Sequence, residues 1–230
     1  MDHAQALYGS VPRFWGRYFK TPEQAGGTQY NPKTEHLAFA SAGVRVVPLA
    51  RQTGRIHGSQ DDGASDAKGN ALAILGAFGI DYLAEQGGEV YVYLDDEGSP
   101  NPTLSTEYWI GWSDTLVSYS KQLSSDSVTL RPGLYCNFDK ASWQALETAV
   151  AQGAECYSAW IARWKSSGQV CMPLPPWNTG HVTPDPAPPC PIHIWQYAAE
   201  CHGGDGFDMD EANPEISLND FLTRLILPPS

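Results

Sequence analysis

Short apolar segments alternate with amphipathic segments along the chain. The apolar segments predict strands at residues 13–19, 45–50, 89–94, 130–136, 156–164, 192–198 and 207–209. The amphipathic segments predict helices at residues 32–42, 65–75, 105–119, 139–151 and 217–225. Strand–helix alternation at this spacing predicts βαβ units and a parallel sheet.

The number of strand segments favours a closed barrel over an open, doubly wound sheet. A doubly wound sheet usually has a glycine-rich phosphate turn after its first strand, and no G-x-G-x-x-G sequence is present. A chain of 230 residues suits one α/β barrel. We therefore expect a single domain over residues 1–230, with a Pro/Gly-rich rim loop at residues 166–190.

The segment 89–97 contains the strongest candidate chemistry. Because strand side chains alternate between two faces, Tyr93, Asp95 and Glu97 share one face, while Asp96 lies on the other, mainly aliphatic face. The aliphatic face should contact helices, which directs Asp95 and Glu97 to the barrel mouth. Two close carboxylates raise the pKa of one of them, which supplies the acid and the anion that glycosidic cleavage needs. A solvated acidic turn is the alternative interpretation.

Asp208 and Asp210 form a second acidic pair, on one face of the last predicted strand. A calcium-binding or plain acidic loop is the alternative, but the full calcium-loop pattern is absent. Arg17 lies in a strand that is otherwise aromatic, where it would orient a substrate or form an ion pair with a carboxylate.

Tryptophan and tyrosine residues are concentrated at the predicted strand ends. Aromatic rings stack on the apolar faces of sugars, and their N–H and O–H groups bind polar partners. We expect Trp164, Trp195 and Tyr197 to line a sugar groove, whereas ordinary core packing is the better interpretation of Trp160. Tyr93 and Asp210 are also expected to bind the substrate.

Charge and composition exclude several classes of protein. The formal net charge is −12, and no run of Lys and Arg is present, so we expect no nucleic-acid partner. No apolar stretch reaches the roughly 20 residues that span a bilayer, and no signal peptide is recognisable. No C-x-x-C sequence is present, so we expect no metal site, and no G-x-S-x-G sequence is present, so we expect no serine nucleophile. We also expect no cofactor.

The chain contains five cysteines. One disulfide among Cys171, Cys190 and Cys201 is expected in an oxidising compartment, and free thiols are the alternative.

The order of the strand segments carries a resemblance to a known family. The segments are F-W-G-R-Y-F (14–19), V-R-V-V-P-L (44–49), V-Y-V-Y-L-D-D-E (90–97), R-P-G-L-Y (131–135), A-W-I-A-R-W (159–164), I-W-Q-Y (194–197) and G-F-D-M-D (206–210). Together they resemble the glycoside-hydrolase-like domains of uncertain function that are related to family 25 lysozymes. The resemblance covers nearly the whole chain.

The resemblance assigns roles to four carboxyl groups. The lysozymes' fourth strand ends in Asp-x-Glu, which matches Asp95 and Glu97, and it implies that Glu97 is the general acid. Their final-strand Asp matches Asp208. Their first strand also ends in an Asp, and only Asp2 could take that place here.

The resemblance implies a (β/α)8 TIM-like barrel with an incomplete first strand. It also implies a monomeric, secreted or cell-envelope hydrolase of β-1,4-linked amino-sugar glycan, with peptidoglycan as the first candidate substrate. Two other functions remain open at this point: a glycan-binding barrel without hydrolytic activity, and a scaffold or toxin-associated domain with a protein partner.

Overall fold

A computed structural model describes residue 5 and residues 9–19, 29–52, 54–96, 103–138, 141–167, 175–201 and 207–230. One sheet of seven strands, in the order of the chain, forms its centre. The strands are β1 (Phe14–Tyr18), β2 (Arg45–Arg51), β3 (Glu89–Asp96), β4 (Thr129–Asn137), β5 (Ser158–Ser167), β6 (Ile192–Cys201) and β7 (Phe207–Ala212).

The helices of the described residues lie between these strands and after β7. They are α1 (Pro32–Ala42), α2 (Gln60–Phe78), α3 (Ile80–Glu85), α4 (Thr106–Ser124), α5 (Ser142–Ala151), α6 (Thr179–Val182) and α7 (Leu218–Thr223). None of the described helices has the length and apolar character that a membrane span requires.

The prediction of an α/β fold is confirmed, but the described residues form a curled half-barrel and not a complete eight-stranded barrel. Strands β1 to β6 are parallel, β7 pairs antiparallel with β6, and β1 and β7 are the two edges of the sheet. The connection 202–206 explains the reversal, because a parallel pair needs a crossover of about a dozen residues or more.

Capping residues set the helix boundaries. Helix α1 has the predicted bounds, with Gly43 in the left-handed conformation at its end. Helix α2 begins at Gln60, earlier than expected, because Ser59 and Asp62 form a reciprocal capping box. Asp139, with which the predicted helix 139–151 begins, lies outside the described residues.

The alternation predicted for β3 is confirmed. Val90, Val92 and Leu94 belong to the core between the sheet and the helices, whereas Tyr93 belongs to a separate core on the inner face. Asp96 also faces the helix side, where the Cys136 thiol lies 3.6 Å from Oδ2 of Asp96.

The inner face curls enough for side chains on distant strands to meet. The rings of Tyr91 on β3 and His193 on β6 have centroids 5.3 Å apart. Phe221 of α7 stacks on His193 at 5.3 Å and closes the end of the half-barrel where the strands begin.

Helices α2 and α4 approach each other through two glycines. A Cβ atom on Gly63 would lie 2.2 Å from the carbonyl oxygen of Tyr108, and one on Gly111 would lie 1.9 Å from that of Gln60. The backbones are therefore in direct contact, and no larger residue fits at either position.

We expect Gly63→Ala to lower the free energy of unfolding by about 2–3 kcal/mol, because the new methyl group must push α4 away. Gly76→Ala, in the same helix, is the matched control. Gly76 is exposed with open space around its Cβ position, so alanine should stabilise the helix by up to about 1 kcal/mol. Urea unfolding measures both changes, and equal effects would contradict the close approach.

Candidate active site

A cavity of about 560 Å³ lies between the two edges of the sheet. Phe14, Gly16 and Tyr18 of β1 line one side, and Asp208 and Asp210 of β7 line the other. Its floor is made by inner-face side chains of the central strands: Tyr135, Trp160 and Gln196. The two acidic residues that the sequence paired on one face therefore lie together in one cavity.

Asp208 is an exposed carboxylate with a fixed hydrogen-bond partner. The backbone N–H of Glu200 donates to its Oδ1 at 3.0 Å. The cavity wall removes part of its hydration, which raises the pKa of Asp208, and the charge of Glu200 raises it further. The hydrogen bond from Glu200 and the nearby side chain of Gln196 lower that pKa.

Asp210 lies two residues along the same strand and is held by an aromatic donor. The indole N–H of Trp160 donates to Oδ1 of Asp210 at 2.8 Å. Trp160 therefore packs in the core, as the sequence predicted, and also fixes an acidic side chain of the cavity.

Gln196 occupies the centre of the polar floor. Its Oε1 accepts hydrogen bonds from the hydroxyl of Tyr135 at 2.7 Å and from the indole N–H of Trp164 at 2.8 Å. Gln196 is 2% exposed, whereas Trp164 is 47% exposed. One edge of the Trp164 ring is thus anchored, while much of the ring remains accessible to a ligand.

Asp95 is placed deeper than the sequence suggested. It is 3% exposed, it pairs with Tyr135 of β4 in the strand register, and Nε of Arg51 lies 3.8 Å from its Oδ2. Arg51 also packs over the ring of Tyr18. Asp95 therefore lies next to the cavity floor, but it is not one of the described residues that line the cavity.

Two of the carboxyl groups assigned by the family resemblance, Glu97 and Asp2, lie outside the described residues. The position of the general acid therefore remains a sequence-based prediction.

Tyr93 does not reach the cavity. It is fully buried on the inner face, its hydroxyl is 2.5 Å from Oγ of Ser158, and its ring packs edge-on against Trp160. Burial holds its pKa well above the usual value, so the hydroxyl stays neutral. Its placement supports a packing role and does not support the predicted contact with substrate.

Trp195 and Tyr197 are also placed away from the groove. Both are buried, with 0% and 3% exposure, in a cluster on the outer face of β6 that includes Val182 of α6. The physical reason is strand alternation: Gln196 faces inward, so its two neighbours in the sequence must face outward. The predicted groove wall is therefore not supported for these two residues.

Arg17 forms the ion pair that was one of its two expected roles. Its Nε and NH2 groups donate to the two carboxylate oxygens of Glu35 at 2.5 and 2.8 Å. This two-point contact compensates its charge on the helix side of β1.

The cysteines divide into bonded and free groups. Cys201 is disulfide-bonded, as expected for one of the three candidates, and its partner lies outside the described residues. Cys136, Cys156 and Cys190 are free thiols. The described residues contain no cluster of three or more His, Cys, Asp or Glu side chains that could hold a metal ion.

Comparison with known proteins places this geometry in a structural context. No protein-family profile and no curated protein sequence matches the chain. An uncharacterised protein of B. stearothermophilus is similar over 98% of this chain and 95% of its own, with a TM-score of 0.63 and 19% identity. A muramidase from Acremonium alcalophilum is similar over 97% and 93%, with a TM-score of 0.52 and 20% identity.

The catalytic domain of endolysin Ply40, from bacteriophage P40 of Listeria monocytogenes, is similar over 92% of this chain and 86% of its own. Its TM-score is 0.50 and its identity is 12%. The chain has a lysozyme-like glycoside-hydrolase fold. At these identities the comparison establishes the lysozyme-like fold, and the chemistry must be argued from the residues of the cavity.

Three residues of this site were missed or incompletely assigned from the sequence: Gln196, Tyr135 and Trp160. Gln196 was noticed only as part of a W-Q-Y sequence. The signal that could have selected it is the period of two in β6, where one glutamine stands between two large aromatic residues.

We expect Trp195→Ala to destabilise the protein by about 3–5 kcal/mol, because it empties a buried site on the outer face of β6. Trp164→Ala should cost no more than about 1–2 kcal/mol, since it removes a half-exposed ring and one hydrogen bond. Urea unfolding of both variants tests the placement. A larger loss for Trp164→Ala than for Trp195→Ala would contradict it.

Proposed function

We propose that the chain hydrolyses β-1,4-linked amino-sugar glycan, with peptidoglycan as the first candidate. One observation carries the proposal: one cavity holds two carboxylates on β7, and Gln196 on its floor anchors the accessible ring of Trp164. A glycosidase needs negative charge beside the developing oxocarbenium ion, and aromatic rings stack on sugars. The muramidase and the endolysin catalytic domain to which the fold is similar act, by their names, on cell-wall glycan.

The proposed roles follow from where the charges lie. Asp208 is accessible in the cavity and would stabilise the oxocarbenium ion or the substrate's N-acetyl group, which is the nucleophile in substrate-assisted hydrolases. Glu97 is assigned as the general acid from the sequence. Asp95, buried beside Tyr135 and Arg51, would contribute negative potential from beneath the floor. Trp164 would bind a sugar ring, and Asp210 would orient polar groups of the substrate.

The proposal extends to the setting of the reaction. We expect a monomer that acts at a secreted or cell-envelope location, where such glycan is accessible.

Glu97→Gln and Asp208→Asn should each lower the rate of reducing-sugar release from purified peptidoglycan by at least about 100-fold. The first variant removes the proton donor, and the second removes a charge that stabilises the transition state. Chitin oligomers should be tested in parallel, because they contain β-1,4-linked amino sugars without peptide.

The matched control is Glu147→Gln, which makes the same chemical change on the exposed surface of α5. It should keep wild-type activity. Equal reducing-sugar release by wild type and Glu97→Gln would overturn the acid assignment, and no release from either substrate by the wild type would overturn hydrolysis.

A glycan-binding barrel without hydrolytic activity is the second candidate. It is favoured by the accessible ring of Trp164, whose anchor on Gln196 would serve binding without any bond cleavage. The scaffold or toxin-associated role has no such support.

Trp164→Ala should weaken binding of soluble glycan fragments by about 10-fold or more, as expected for loss of one stacking surface. Leu72→Ala, an exposed apolar residue on α2, is the control and should bind as the wild type does. Calorimetry or fluorescence titration measures both affinities. Saturable binding without turnover would select the second candidate, and unchanged affinity in Trp164→Ala would remove Trp164 from the site.

A further inference from the structure

Two tryptophans of β5 use their indole N–H groups in the same way. Trp160 and Trp164 are four residues apart on this strand. The indole N–H of Trp160 donates to Oδ1 of Asp210 at 2.8 Å. That of Trp164 donates to Oε1 of Gln196, also at 2.8 Å. Gln196 and Asp210 lie opposite each other in the β6–β7 register, so one cross-strand pair holds both rings.

The two rings differ in what they offer a ligand. Trp160 is buried on the cavity floor, whereas Trp164 is half exposed and is not one of the described residues that line the cavity. Gln196 lines the cavity and also binds the Trp164 ring, so the ring lies directly beside the cavity. A ligand that contacts both the carboxylates of β7 and the Trp164 ring must therefore extend beyond the cavity.

The hydrogen bonds on Gln196 hold the Trp164 ring in one orientation. An indole N–H can only donate, so it needs the amide oxygen of Gln196 and not the amide NH2 group. The hydroxyl of Tyr135 donates to the same oxygen at 2.7 Å, and Gln196 is buried. Turning the amide around would place its NH2 group against the indole N–H, where two donors would face each other. The acceptor oxygen, and with it the ring, is therefore fixed.

The anchor also limits how Trp164 can bind. The only polar group of its side chain is used by Gln196, so the exposed part of the ring offers an apolar π surface. Such a surface stacks on the apolar face of a sugar ring. Because the ring is ordered before a ligand arrives, binding avoids the loss of side-chain entropy that a mobile tryptophan would suffer.

We propose that Gln196 and Tyr135 are positioning residues that hold Trp164 as a preformed platform beside the cavity, where it stacks on the sugar unit next to the one bound between β1 and β7. The ligand class is an oligosaccharide of at least two linked pyranose units, and not a monosaccharide. The inference rests on the proposed function for the identity of the glycan, but the order of the Trp164 ring is measurable without any ligand.

Gln196→Met tests the anchor at a similar side-chain size. It removes the acceptor oxygen, so the indole N–H of Trp164 should exchange faster with solvent and the ring should become more mobile. Hydrogen exchange and ¹⁵N relaxation of the indole signal measure both effects, and the signal is identified by its loss in Trp164→Phe. Gln196→Glu keeps an acceptor oxygen in either protonation state, so the ring should stay ordered in that variant.

The matched control for the anchor is Gln52→Met. Gln52 is also a buried amide, but it donates to Asn70 on the helix side of the sheet. Its replacement should leave the exchange and the mobility of the Trp164 indole unchanged.

The platform is tested with the tetramer of β-1,4-linked N-acetylglucosamine, in the Glu97→Gln background to slow cleavage. Gln196→Met should weaken binding in calorimetry by about 3- to 10-fold, because the ligand must then order the ring. In Trp164→Phe, which has no indole N–H to anchor, the same change should have little further effect. The bound tetramer should shift the indole signals of both Trp164 and Trp160, because one oligomer contacts the platform and the cavity.

Each result decides a separate part of the proposal. An equally ordered Trp164 ring in Gln196→Met and in the wild type overturns the anchor. Equal weakening by Gln196→Met with and without the Trp164 indole overturns the platform, and a shift of the Trp164 signal alone overturns the extended ligand. A loosened ring in a protein that neither binds the tetramer nor hydrolyses peptidoglycan supports the positioning role and rejects the proposed function, so the two failures are distinguishable.

Discussion

The indole ring of Trp160 connects both edges of the curled sheet. From β5 it packs against Tyr135 at a centroid distance of 4.8 Å and edge-on against Tyr93. At the β1 edge a Cβ on Gly16 would lie 3.0 Å from the indole, so a larger residue would crowd the ring. At the β7 edge its N–H holds Asp210. The shape of the cavity between the edges therefore depends on one aromatic side chain.

The inner face is divided into an apolar end and a polar end, and this division decides where chemistry can occur. Where the strands begin, α7 covers His193, and burial lowers the pKa of that histidine, which favours its neutral form. Where the strands end, the acidic residues of β7 line the open cavity, and Asp208 is exposed. Burial of a charge without a partner is unfavourable, so the open cavity favours the charged form of an acidic side chain there.

The alternation of side chains along a strand predicts which residues lie on the inner face, and it holds in both β3 and β6. It separated Tyr93 and Asp95 from Asp96 correctly, because β3 has a continuous aliphatic face. The same rule in β6 would have turned Gln196 inward and Trp195 outward. Similarly, the few residues between the last two strands would have excluded a parallel last strand, because a parallel pair needs a longer crossover connection. Contacts between distant strands, such as Trp160 with Asp210, could not be predicted, because no local pattern specifies how far a sheet curls.

The charges around the cavity decide which chemistry it can support. Arg17 of β1 lines the cavity, but its charge is compensated by Glu35 on the helix side. Loss of hydration raises the pKa of Asp208, which lines the cavity, so a cation-like species beside it would be stabilised by the charged carboxylate. An oxocarbenium ion is such a species, which connects the acidity of the chain to the proposed reaction.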